Sequence, residues 1–146
     1  MDTILVTGCA GFIGSHVCAL LLSKGYQVIG VDNFDPFYPR SVKERNLDAF
    51  RGHPQFSFYD MDITEGLDEV KGKNILAVIH LAAKAGVRPS IEDPAGYIKA
   101  NITGTQKVHE FMLERSIRKL VFASSSSVYG NNEKKPFGED DNVDNP

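Results

Sequence analysis

Twelve residues near the N-terminus, Thr3-Ile4-Leu5-Val6-Thr7-Gly8-Cys9-Ala10-Gly11-Phe12-Ile13-Gly14, constrain the fold more than any other stretch. The apolar run Ile4-Leu5-Val6 reads as a short buried strand. It enters three glycines spaced by three and then a helical pattern. Each glycine has its own task. Gly8 permits a tight turn off the strand, Gly11 lets a pyrophosphate approach the backbone, and Gly14 lets the next helix lie close to the sheet. A helix opening at such a loop aims free N–H groups and its positive dipole end at phosphate. The G-x-x-G-x-x-G spacing departs from the generic G-x-G-x-x-G fingerprint, and either pattern alone is weak. The context is what makes it informative: strand, turn, helix, second strand, then Asp32, eighteen residues past Gly14. An acid there can accept hydrogen bonds from an adenosine ribose. Together these features point to a nucleotide cofactor site.

The rest of the chain repeats the strand–helix alternation. Ile13, Val17, Leu20 and Leu21 form one helical stripe, with Gly25 as a stop. Strands are expected over residues 26–32, 55–60, 75–79 and 120–123, a charged helix over 41–51 and a short helix over 64–71. After the fourth strand come His80-Leu81-Ala82-Ala83, small enough at the strand end for a cofactor to lie near the backbone, then a loop with Lys84, Gly86, Arg88, Pro89 and Ser90. Asp93-Pro94 opens a long helix, with aspartate as cap and proline in the first turn. Its expected buried stripe is Ile98, Ile102, Thr105, Val108 and Met112. The fifth strand runs into Ser124 to Ser127 and Val128-Tyr129-Gly130, and the tail past Asn131 is polar, acidic and loop-like. Such alternation predicts an α/β fold, a doubly wound parallel sheet of Rossmann type, with ligands outside the carboxyl ends of the strands.

A chain of 146 residues suffices for one domain with a core, and 42% hydrophobic content is ordinary for a soluble protein. The net charge of −3 gives no reason to expect nucleic acid or an anionic membrane as partner. Cys9 and Cys18 show no metal spacing and read as reduced thiols of a cytoplasmic protein. The N-terminus enters a strand at once, so no targeting segment is expected, and no apolar run approaches membrane-spanning length.

These residues carry a resemblance. Val6 to Gly14, Asp32-Asn33, Asp62-Ile63, His80 to Ala83, Asn101 to Thr105 and the serine-rich segment ending Val128-Tyr129-Gly130 resemble the extended short-chain dehydrogenase/reductases. Within that group the chain resembles the NAD-dependent epimerase/dehydratase family and its nucleotide-sugar epimerases. The stretches from Lys84 to Pro94 and from Asp32 to Tyr38 look most like UDP-glucuronate 4-epimerases. The resemblance implies NAD as cofactor, held by Gly8, Gly11, Phe12, Ile13 and Gly14 at the pyrophosphate. Asp32 and Asn33 would meet the adenosine ribose, Asp62 and Ile63 the adenine, and Leu81, Ala82, Ala83 and Lys84 the path to the nicotinamide. Asn101 would support the site from the long helix. Ser125 takes the place of the family's catalytic Ser/Thr, and Lys84, Arg88, Ser125 and Ser126 are candidates to meet a UDP-sugar.

The implied chemistry is a reversible redox cycle through a 4-keto sugar, in which a tyrosine lowered in pKa by neighbouring positive charge moves the proton. The family's Tyr-x-x-x-Lys pair is absent from these 146 residues: Tyr129 is followed four positions on by Glu133. The chain therefore reads as the NAD-binding part, 1–146, of a longer enzyme, a homodimer when full length, and inactive alone. Two alternatives stay open: another nucleotide-sugar dehydratase or decarboxylase, and a non-catalytic NAD-binding module. Plainer readings also stand beside the sharp ones. The serine run reads as a linker, Lys84 and Arg88 as solvated cations, Asn101 as a packing residue, Cys9 as a small loop residue, and His80 as a packed strand end without a chemical role.

Overall fold

Five consecutive side chains, Thr3 to Thr7, are buried, and the strand they form (β1, Thr3–Thr7) lies at the centre of the sheet. A computed structural model of the protein describes residues 2–72 and 74–144. The other strands are β2 (Gln27–Asp32), β3 (Phe56–Asp60), β4 (Ile75–His80) and β5 (Leu120–Phe122), in the order β3-β2-β1-β4-β5. Every neighbouring pair is parallel. Alternate side chains of a strand point to opposite faces, so β1 feeds two cores. Ile4 and Val6 join Cys18, Leu22, Val28 and Leu47 on one face, while Leu5 joins Val78, Val108, Phe111 and Met112 on the other. This is the doubly wound arrangement expected, and a fully buried Leu or Val in either core contributes about 1.5–3 kcal/mol. The chain crosses from β3, at one edge, over to β4 beside β1, which makes the carboxyl ends of β1 and β4 the switch point where ligands bind in such sheets.

The helices are α1 (Phe12–Ser23), α2 (Arg40–Asp48), α3 (Val87–Glu92), α4 (Pro94–Ile98) and α5 (Gly104–Glu114). None among the described residues is long and apolar enough to cross a membrane. Four expectations need correction. In α1 the buried residues are Gly14, Ser15, Cys18 and Leu22, whereas Ile13 and Leu20 are 61% and 56% exposed. The close approach of Gly14 to the glycine loop sets the phase of the helix, and the apolar stripe follows from that. The long helix is divided: a π turn (Lys99–Thr103) joins α4 to α5, and the Gly104 N–H donates to the carbonyl of Lys99, five residues back. One extra residue in the turn advances the phase by about 100°. Ile98 and Ile102 are thereby turned out to solvent, while Val108 and Met112 stay buried beside Phe111. Over residues 64–71 only a 3₁₀ turn forms (Ile63–Glu65), because Gly66 leaves it at φ +103°. The Asp93 cap is present, its Oδ1 accepting the Gly96 N–H at 3.0 Å, but it follows a helix, α3, where a loop was expected.

Candidate functional site

A cleft of about 490 Å³ opens at the carboxyl ends of β1, β2 and β4. The glycine loop forms its floor. Gly8 sits at φ +71°, and a Cβ there would stand 2.8 Å from the Ala82 nitrogen, so neither its backbone conformation nor its space admits a side chain. The Gly8 N–H donates to the Val31 carbonyl at 2.8 Å, tying the loop to β2, and the Gly11 N–H donates to the Gly8 carbonyl at 3.0 Å. A Cβ on Gly14 would overlap that same carbonyl. The close approach expected of Gly14 is therefore to the loop itself rather than to the sheet. At the start of α1 the first N–H groups have no helix carbonyl to serve, and Gly11, Phe12, Ile13 and Gly14 line the cleft beside them.

Asp32 closes the far side. Its Oδ1 accepts the Phe34 N–H at 2.9 Å and the Lys43 ammonium at 3.2 Å, and its Oδ2 accepts the Ala10 N–H at 3.1 Å. Three of about four lone-pair positions are occupied, which leaves Oδ2 with room for one more donor. Asn33 donates to Asp62 Oδ2 at 3.2 Å. Burial pushes the Asp62 carboxyl up, but hydrogen bonds from Thr64 and Asn33 and the charge of Lys99 outweigh it and hold the group below the usual carboxylate range. Ile63 follows on the same wall.

Leu81, Ala82, Ala83 and Lys84 form the opposite shelf. The Lys84 ammonium lies 3.7 Å from Asp35 and 3.4 Å from Asp93, and these carboxylates, Asp35 foremost, raise its pKa. Asn101 does not line the cleft. It grips the Lys84 backbone from both sides, accepting the N–H at 2.8 Å and donating to the carbonyl at 2.9 Å. Ser125, Ser126 and Arg88 also lie outside the lining and are exposed. Ser125 caps a 3₁₀ turn (Ser126–Tyr129) by accepting the Ser127 N–H at 3.2 Å, two residues past Ala123 at the rim of the cleft.

Lys43 is the lining residue whose pairing the sequence least announces. Its signal is positional: Lys43 and Leu47 stand four apart on α2 and are its two buried residues, which turns a lysine inward towards an acid. Cys9 is a core residue of the loop, and burial above all raises its thiol pKa far beyond the reactive range. The cleft thus offers backbone donors with no room for side chains, an acceptor at the far wall and a small-residue shelf. That is a fit for an extended pyrophosphate-containing dinucleotide.

The family model described as "NAD dependent epimerase/dehydratase family" matches residues 4–146. A UDP-glucuronate 4-epimerase of Thermodesulfobacterium geofontis is 45% identical over 149 residues, covering 100% of this chain and 46% of its own. The crystal structure of a Bacillus cereus UDP-glucuronic acid 4-epimerase, in complex with UDP-glucuronic acid and NAD, superposes with a TM-score of 0.80 at 36% identity, covering 95% of this chain and 45% of that one. A UDP-N-acetylglucosamine 4-epimerase from Methanobrevibacter ruminantium M1, in complex with UDP-N-acetylmuramic acid, gives 0.82 at 32% identity, covering 97% and 43%. The chain spans less than half the length of each.

Proposed function

The chain belongs to the NAD dependent epimerase/dehydratase family, and from that premise we propose that its cleft binds NAD in the reversible 4-epimerisation of a UDP-sugar, UDP-glucuronate to UDP-galacturonate. The observation that carries the reading is the glycine cradle, where a Cβ at Gly8 or Gly14 would strike backbone and where a pyrophosphate can lie against N–H groups. In this reading Gly8, Gly11, Phe12, Ile13 and Gly14 take the pyrophosphate, Asp32 and Asn33 the adenosine ribose, and Asp62 and Ile63 the adenine. Leu81 to Lys84 border the nicotinamide path, and Asn101 acts through the Lys84 backbone. NAD when bound supplies a reversible hydride acceptor for the sugar carbon. Ser125 donates a hydrogen bond to the reacting oxygen, and Lys84, Arg88 and Ser126 face the sugar nucleotide.

UDP-glucuronate is favoured because the relatives from Thermodesulfobacterium geofontis and Bacillus cereus carry that activity in their names. Dehydration is disfavoured by Ser126 and Ser127, which stand where family dehydratases place an acid pair and which do not ionise near neutral pH. Residues 1–146 form the NAD-binding domain of this enzyme, and no Tyr-x-x-x-Lys occurs among them. A positioned acid–base group is typically worth ~10²–10⁴ in rate, so the 146-residue chain alone turns over no measurable UDP-sugar. The deciding experiment incubates the full-length protein with several UDP-hexoses and UDP-glucuronate and identifies products by NMR. UDP-galacturonate is the expected product; a 4-keto-6-deoxy sugar would replace epimerase by dehydratase.

A further inference from the structure

Behind the cleft, a line of hydroxyl and imidazole groups, buried at Thr7 and His80 and half-buried at Thr105, joins the end of β1 to the π turn. Thr7 and His80, the last residues of β1 and β4, are 0% and 2% exposed. Thr7 Oγ1 lies 2.6 Å from His80 Nδ1 and accepts the N–H groups of Leu81 and Ala82, each at 3.2 Å. His80 Nε2 lies 3.0 Å from Thr105 Oγ1, and the Thr105 hydroxyl donates to the Asn101 carbonyl at 2.7 Å. The line therefore ends on the residue that grips Lys84.

A count of donors and acceptors gives the line a direction. A threonine hydroxyl has one proton and two lone pairs. Thr7 Oγ1 accepts the Ala82 N–H and shares the Leu81 N–H with the Thr7 carbonyl, and since both of these neighbours are donors, its proton goes to His80 Nδ1. Were Nδ1 protonated instead, the Thr7 proton would have no acceptor among the described residues. At the other end the Thr105 proton is committed to the Asn101 carbonyl, so Oγ1 must accept, and Nε2 must carry the hydrogen. The two ends require the same tautomer independently.

We propose that His80, as the neutral Nε2–H tautomer, is a positioning residue that fixes the Leu81–Lys84 shelf against the glycine-loop strand and the π turn through the one-way chain Thr7 to His80 to Thr105 to Asn101. Only the purpose of the shelf rests on the NAD reading; the frame itself does not. Burial, with the charge of His109, pushes the imidazole pKa down to about 4, so the ring stays neutral where the protein works. The Phe122 ring, 5.6 Å away, covers it.

The first test is the tautomer itself. Long-range ¹H–¹⁵N correlation in the intact, histidine-labelled protein at pH 7 should show Nε2–H with Nδ1 as acceptor. An Nδ1–H tautomer or an averaged pair overturns the proposal. The second test uses Thr105→Val, which is isosteric, leaves the Nε2–H unpaired and removes the hydroxyl from the Asn101 carbonyl, and Thr105→Ser, which restores the hydroxyl. Thr105→Val should displace the Leu81 and Ala82 amide resonances and weaken NAD about tenfold, the worth of one net hydrogen bond, with the fold intact. Thr105→Ser should return both to within about twofold of wild type. A folded Thr105→Val protein with unmoved Leu81 and Ala82 amides and wild-type affinity overturns the proposal. Nε2–H and displaced amides in a protein that binds no NAD at all uphold the frame and overturn the cofactor reading instead.

Discussion

Removing the ammonium of Lys43 while keeping its stem, as in Lys43→Met, isolates the ion pair that builds the Asp32 wall of the cleft. The Lys43 and Asp32 side chains are 8% and 5% exposed, with Nζ and Oδ1 3.2 Å apart, so solvent cannot substitute for the lost partner. Breaking such a pair from one side costs about 3–5 kcal/mol, because a buried charge is left uncompensated. Asp32 retains the Ala10 and Phe34 N–H groups, which places the loss near the lower end, about 3 kcal/mol. With a urea m-value of roughly 1–3 kcal/mol/M, the midpoint should fall by about 1–3 M at constant m. Removing the charge as well, in Asp32→Asn with Lys43→Met, should recover most of the loss, since replacing both members of a buried pair is far cheaper than orphaning one. A Lys43→Met midpoint within about 0.3 M of wild type would refute the reasoning, for it would mean that water already shields the carboxylate.

Three further outcomes follow from the same geometry. Gly8→Ala and Gly25→Ala both place a side chain at positive φ, +71° and +83°, but only Gly8 also meets backbone; Gly25 should cost about 1–2 kcal/mol and Gly8 clearly more, with loss of NAD affinity, as read by urea melts and calorimetry. Because the folded pKa of His80 is depressed to about 4 from 6.5, the unfolded chain binds a proton that the fold refuses as pH falls between those values. Up to roughly 3 kcal/mol of stability, fully present above pH 6.5, should be lost on acidification to pH 4, and His80→Gln should flatten that part of the urea-midpoint profile relative to wild type. NAD should bind more tightly than NADP because the Asp32 carboxylate would face the 2′-phosphate; Lys43 moderates the repulsion, so Lys43→Met should widen the gap, and equal or tighter NADP affinity in wild type would remove Asp32 from the ribose.

What the sequence reveals, and what it hides, follows from the range of the physics involved. The strand of Thr3 to Thr7 and its three glycines are legible because backbone conformation and close approach are local demands. The two-sided core is legible from apolar strands separated by helical segments. The face of α1 is not, because it is set by Gly14 against the Gly8 carbonyl, a contact invisible to a hydrophobic stripe that includes Ile13 and Leu20. The π turn likewise shifts Ile98 and Ile102 out of phase with Val108, and periodicity alone contains no sign of one extra residue in a turn. At the cleft, most lining residues sit at strand ends where motif reading looks for them. The weight of Lys43 and of His80, the latter itself at a strand end, is not legible there, because it lies in partners eleven and twenty-five residues away, Asp32 and Thr105. Asn101 combines both: its helix was legible, its grip on the Lys84 backbone was not.

The central claim is that the cleft at the switch point is an NAD site, and a titration of NAD into the ¹⁵N-labelled protein tests it most directly. The amides of Gly8, Gly11, Phe12, Ile13 and Gly14 should shift together and saturably with those of Ala82 and Ala83, since these residues line one cleft. The absence of any saturable shift, or shifts confined to residues outside that lining, such as the exposed outer face of α1 at Leu20, would contradict it.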